Sequence, residues 1–298
     1  MNPFLVSIAF VIFGQLLNAG IVLIDKYIVT RTSVSKPGVY AFYVAMISGV
    51  VIFLVPFGVI HFPTAEVALL SIVGGFAFVT SIILLFTSLK SANATDVVAW
   101  LTVISTVTTF LLGYFFLSET LPNSFPYALV LFVIGMALVG HFRFHARSFL
   151  FVVISGILFG FSAVFMKVLF GHTGFFDGFF WSRMGNVIGA LSLLAVPPIR
   201  RSIFETSKEV SHKTSSLIII NRVLGGLAFL FILYAIRIGS VSVVNSLSSL
   251  QFVFIFILVF LLAKKLPHLY EHEFRHGHIL HKVLSMTFII AGFFVLFL

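Results

Sequence analysis

The sequence predicts an all-α membrane protein with ten transmembrane helices arranged as two inverted five-helix repeats. Three observations predict it: an apolar composition, ten apolar segments of spanning length, and motifs that recur about half a chain apart. Of 298 residues, 60% are hydrophobic and 9% charged. Soluble domains carry about 25% charged residues. A mean hydropathy of +1.19 leaves more apolar surface than one core of this size can hide, and lipid is the solvent that accepts it. A spanning helix needs about 20 mostly apolar residues.

The apolar segments run over residues 4–24, 38–60, 67–89, 97–118, 125–142, 149–170, 176–198, 215–237, 241–263 and 279–298. The first begins near Met1, where a basic segment and a small-residue cleavage site are both lacking, so it reads as a span rather than a signal peptide. Most connections are short; two are long and polar, Arg200–Thr214 and Lys264–Lys282. No segment alternates with strand period, which argues against a β-barrel. Cysteine is absent, which excludes disulfides, thiol catalysis and cysteine-based zinc sites.

The repeat is read from three matches in the same order. Val73-Gly74-Gly75-Phe76-Ala77-Phe78 matches Leu224-Gly225-Gly226-Leu227-Ala228-Phe229, and the segment from Phe115 to Pro122 matches that from Phe260 to Pro267. Ile24-Asp25-Lys26 lines up with Phe165-Met166-Lys167. The repeats divide the chain at 1–145 and 146–298, one integrated membrane domain. Five spans is an odd number, so the second copy enters the membrane from the opposite side, an architecture of many secondary transporters.

Charge then orients the chain. Alternating loops place fourteen Lys and Arg residues on one side and only Arg237 on the other, leaving out Lys167, Arg183 and Arg222 within spans. Basic loops are retained on the cytoplasmic side, so both termini are expected outside. A net charge of +9 placed this way reads as membrane orientation, with no nucleic-acid partner.

The whole chain resembles the drug/metabolite transporter superfamily, EamA type. The resemblance rests on the ten spans, the duplicated halves, Glu119-Thr120-Leu121-Pro122 after the fourth span, and the turns Leu89-Lys90-Ser91-Ala92 and Ile236-Arg237-Ile238-Gly239. It implies transport of a metabolite, amino acid or drug-like compound, and no enzymatic activity. Two features depart from the family: Lys264-Lys265 replaces the acidic residue in the second half, and the family's termini lie in the cytoplasm. Here the charges decide the expected orientation.

Polar groups within spans should face the bundle interior or a cavity. Gln15 and Asn18 in the first span, Arg183 and Asn186 in the seventh, and Asn245 and Gln251 in the ninth are the expected lining of a central substrate site. The alternative for such groups is hydrogen bonding between helices. Arg183, about two turns inside its span, suits a carboxylate on a small-molecule substrate; otherwise it would pair with Glu119 or Asp177. Lys167 and Arg222 lie nearer helix ends, where their side chains can snorkel. Asp25, Asp96 and Glu119 also lie near helix ends, which favours a facilitator or exchanger over proton coupling. The Gly-Gly pairs are expected to let helices pack closely.

One motif points elsewhere. His272-Glu273-Phe274-Arg275-His276 fits H-E-x-x-H, which on a helix presents two histidines to zinc with the glutamate as base. It sits in a polar, histidine-rich loop with no third ligand legible, so no cofactor is expected. A membrane metalloenzyme using this loop, a lipid flippase and a non-transporting scaffold are the alternatives to a carrier.

Overall fold

The computed structural model describes residues 3–31, 36–92, 94–139, 146–209, 212–263 and 279–298. Its helices are α1 (Pro3–Arg31), α2 (Pro37–Ile47), α3 (Ala65–Ser91), α4 (Ala94–Leu117), α5 (Phe125–Val139), α6 (Ala146–His172), α7 (Phe175–Ser192), α8 (Pro197–Glu209), α9 (His212–Ile238), α10 (Val241–Ser246), α11 (Leu250–Ala263) and α12 (Ile279–Val295). No strand occurs among the described residues. A 3-10 segment, Ser48–Phe57, continues α2 and ends at Gly58 with φ +67°, a left-handed cap that glycine adopts without strain.

Seven helical stretches among the described residues are long and apolar enough to cross a membrane. The segments expected at 125–142 and 279–298 are apolar but form shorter helices, α5 and α12. The expected span 176–198 passes only together with α8, from which it is bent by 102°. Large apolar side chains face outward, among them Phe57, Phe115 and Phe116. In water these would be a liability; in hydrocarbon they are the expected surface. The chain is therefore an integral membrane protein.

The connection Arg200–Thr214, expected to be a polar loop, is largely the helix α8. Two prolines stand at its first turn, where a missing N–H costs nothing. Ile203 is buried and packs with Ile199 in an apolar cluster, while Arg200 and Phe204 face outward. Only one narrow apolar stripe marks this helix, too little to register as a span.

Packing joins elements from the two ends of the chain. The main partners are α3 with α6, α1 with α9, α5 with α12, α3 with α7, α4 with α6 and α1 with α11, and α2 also packs on α7. A 3-10 turn, Leu247–Ser249, joins α10 to α11, which together make one apolar stretch, Val241–Leu261. The acid of the Glu119 motif has a structural task. Its carboxylate accepts from the backbone N–H of Val241 at 2.7 Å and of Ser242 at 3.2 Å, and from the Ser240 and Ser242 hydroxyls. It thus satisfies donors left open at the start of α10.

Lys26 and Lys167 repeat one device. The Lys26 ammonium donates to the carbonyls of Leu89 (2.5 Å) and Ala92 (2.6 Å) at the end of α3. Lys167 donates to Ile236 (2.8 Å) and Gly239 (2.5 Å) at the end of α9. Helix C-termini offer unpaired carbonyls and partial negative charge, so Lys167 is held inside the bundle and does not snorkel.

The first Gly-Gly pair behaves as expected and the second does not. A Cβ on Gly185 would lie 1.9 Å from the Ser71 carbonyl oxygen, and one on Gly75 would lie 2.2 Å from Gly185 backbone. α3 and α7 therefore meet backbone to backbone. A Cβ on Gly226 would meet nothing within 4 Å, and on Gly225 only Ile21 at 3.9 Å. Gly185→Ala should force these helices apart and destabilise the fold by about 3 kcal/mol, the upper range for overpacking. Gly226→Ala should match or slightly exceed the parent, because alanine favours helix. Melting temperatures of the two variants in detergent check the contrast.

Candidate functional site

α7 carries the site because its sequence is two-sided. Gly178, Gly185, Gly189 and Ala190 are buried small residues that bring it against its neighbours, chiefly α3. Ser182, Arg183 and Asn186 line a small cavity with Ser71 of α3 and Ser162, Phe165 and Met166 of α6. Its volume is about 10 Å³, near the minimum for one water molecule.

The cavity wall holds unmet polar groups. Arg183 Nε, Asn186 Nδ2 and Ser71 Oγ are buried and have no hydrogen-bond partner. A buried unpaired donor costs about 1–3 kcal/mol, and here three converge on one space. The Arg183 guanidinium lies 3.9 Å from the Phe229 ring centroid, 5.7 Å from Phe78 and 6.0 Å from Phe179. Ring faces stabilise a desolvated cation by about 2 kcal/mol, but they supply no acceptor. Phe78 and Phe229 end the two matched Gly-Gly motifs.

Neither carboxylate considered for Arg183 reaches it. Glu119 is engaged at α10. Asp177 accepts from the His61 backbone N–H at 2.7 Å and sits 3.0 Å from His61 Nδ1. Among the described residues no acid pairs with Arg183. The groups left unpaired here can all donate, so the wall is the complement of a hydrogen-bond acceptor.

The other four expected lining residues lie on helix seams. Gln15 donates to Ser248 Oγ at 2.9 Å and Gln251 to the Asn18 carbonyl at 3.3 Å, both between α1 and the ninth span, while the Asn18 amide donates to Gln15 within α1 at 3.4 Å. Asn245 donates to Ser105 and Thr109 of α4, with 2.6 Å to Thr109 Oγ1. Gln15, Asn245 and Gln251 have the interhelical partners that were their alternative reading, and the Asn18 side chain bonds within its own helix. Of the six, Arg183 and Asn186 alone line the cavity.

A second polar cluster was not anticipated. Asp25 accepts from the Tyr40 hydroxyl, from Asn221 Nδ2 at 2.7 Å, and from Arg222. Arg222 also donates to Tyr40 Oη at 3.1 Å. Arg222 is thus drawn inward by a buried carboxylate and does not snorkel. Tyr40 and Asn221 carried no signal in one sequence, since each looks like an ordinary residue near a span end. Ser71 was equally silent, being one serine among many.

The residues His272, Glu273 and His276 lie outside the described residues. Among the described residues no group of three or more potential ligands could hold a metal ion.

None of the curated proteins matches the chain. One solved structure, known only as the crystal structure of a protein, is similar over 99% of this chain and 97% of its own, with a TM-score of 0.68 at 14% identity. At that identity the likeness speaks for the fold alone. Residues 146–272, within the second half of the chain, match the EamA-like transporter family, part of the drug/metabolite transporter superfamily.

Proposed function

We propose that this protein is a secondary transporter of a small, carboxylate-bearing metabolite across the cytoplasmic membrane. It works by alternating access between two inverted five-helix halves, residues 1–145 and 146–298. The observation that carries this reading is the cavity between α3, α6 and α7. It joins elements of both halves around a half-buried cation that has no acidic partner among the described residues.

The packing supports the halves. Exchanging them converts the pair α3–α6 into α9–α1, while α5–α12 and α2–α7 map onto themselves. The two lysine caps, Lys26 on α3 and Lys167 on α9, interchange in the same way. The family match falls within the second half. The basic loops face the cytoplasm and both termini face out, following the charge bias.

The test is a thermal-shift screen of the purified protein in detergent, pairing each carboxylic metabolite with its amide. A ligand at 100 times its Kd stabilises the folded state by about 2.7 kcal/mol. Carboxylates should raise the melting temperature and their amides should not, and the hits should then cross proteoliposome membranes in flux assays. Equal shifts for acids and amides would remove the anion-binding role.

A further inference from the structure

The cluster around Asp25 is the half-exchanged counterpart of the Arg183 cavity. The cavity is made by α3, α6 and α7, and the cluster by α9, α1 and α2. Met166 corresponds with Asp25 in the matched motifs, and extending the Gly-Gly match at its own offset pairs Leu70 with Asn221 and Ser71 with Arg222. At one end Arg183 has no acidic partner among the described residues, and at the other the protein supplies its own carboxylate, Asp25, to Arg222.

Asp25 and Tyr40 come from the first half and Asn221 and Arg222 from the second, so this contact must part if the halves separate at the basic-loop end. Separating a buried ion pair strands an uncompensated charge in a poor solvent. A carboxylate can escape that state by binding a proton. Among the described residues Asp25 is the one buried carboxylate. The charged group facing it is Arg222 from α9, and the titratable one is Tyr40 from α2; Lys26, next in α1, bonds to the α3 carbonyls.

We propose that Asp25 is a proton-binding site of the transport cycle. It is ionised and paired with Arg222 in the closed arrangement seen here. When the halves part at this end, Asp25 takes one proton from the adjacent water and becomes a neutral carboxylic acid, and Arg222 turns towards that water. Closing returns the proton and restores the pair. This rests on the reading of two moving halves, but not on any substrate.

The absence of cysteine permits a clean measurement. Lys36 donates to Ser202 Oγ at 3.1 Å across the two halves beside this cluster. Spin labels on a Lys36→Cys/Ser202→Cys protein in nanodiscs would report their separation by pulsed electron resonance. At pH 8 the distribution should be short and narrow, and at pH 5 it should gain a longer population. Asp25→Asn should show the longer population at both pH values. Tyr40→Phe, which removes one donor to the ionised carboxylate, should move the transition to higher pH and covers the case in which Asp25→Asn does not fold. Infrared spectra should show a protonated-carboxyl band at pH 5 that Asp25→Asn lacks. Distances unchanged between pH 8 and 5, or a Tyr40→Phe transition at the parent's pH, would overturn the proposal. Because no substrate is added, a negative result here leaves the carboxylate screen untouched, and a negative screen leaves this result standing.

Discussion

Arg183→Ala should abolish flux of the transported carboxylate while the protein remains folded. The two outcomes follow from the same geometry. No acid depends on Arg183 among the described residues, so its removal strands no partner charge, and it ends a buried Nε donor that has no acceptor. The main loss to the fold is the stacking of the guanidinium on Phe229, about 2 kcal/mol at most. The loss to substrate is larger. A charge-assisted hydrogen bond is worth about 1.5–3 kcal/mol, and a carboxylate gripped by both guanidinium edges would lose two. Transport should fall by about two to four orders of magnitude, since about 1.4 kcal/mol corresponds to tenfold. Arg183→Lys keeps the charge but not the planar fork, so it should fall between parent and alanine. The check is a paired measurement: melting temperature in detergent and initial flux in proteoliposomes. An Arg183→Ala protein that transports at the parent's rate would remove this residue from the mechanism.

What the sequence could and could not show divides along a physical line. Span existence was legible because twenty apolar residues leave a signal that does not depend on neighbours, and the seven long stretches fall where expected. α8 was missed because its apolar stripe, with Ile199 and Ile203 one turn apart, marks an amphipathic helix and not a span. Arg183 stood out because an arginine deep in a span has few bland explanations. Its lack of an acid could be learnt only by seeing where Glu119 and Asp177 go. Gln15, Asn18, Asn245 and Gln251 share the composition of a binding site and the composition of a seam. Only partner geometry separates the two, and it finds Asn245 bonded to α4 rather than turned to a cavity. Asp25 was placed near a helix end, which is correct for α1, but α2 and α9 close over it. Distance along a helix is not depth in a bundle.

That burial makes Arg222→Ala the most damaging single change expected for stability. Asp25 would keep Tyr40 and Asn221 as donors but lose the only charge that balances it among the described residues. Breaking a buried pair from one side costs about 3–5 kcal/mol, whereas replacing both members by apolar groups is often neutral. Asp25→Leu/Arg222→Leu should therefore melt closer to the parent than Arg222→Ala does, and a double-mutant cycle should show strong coupling between the two sites. The sign with pH is fixed by the same charge. In Arg222→Ala the penalty falls on the ionised form of Asp25, so it shrinks as pH falls and Asp25 takes up a proton. The gap in melting temperature between Arg222→Ala and parent should narrow from pH 8 to pH 5. For the double leucine variant the gap should not follow that course, since no carboxylate remains there to titrate. A gap of constant size in Arg222→Ala would mean that the loss is one of packing, with the Asp25 charge already balanced by other means.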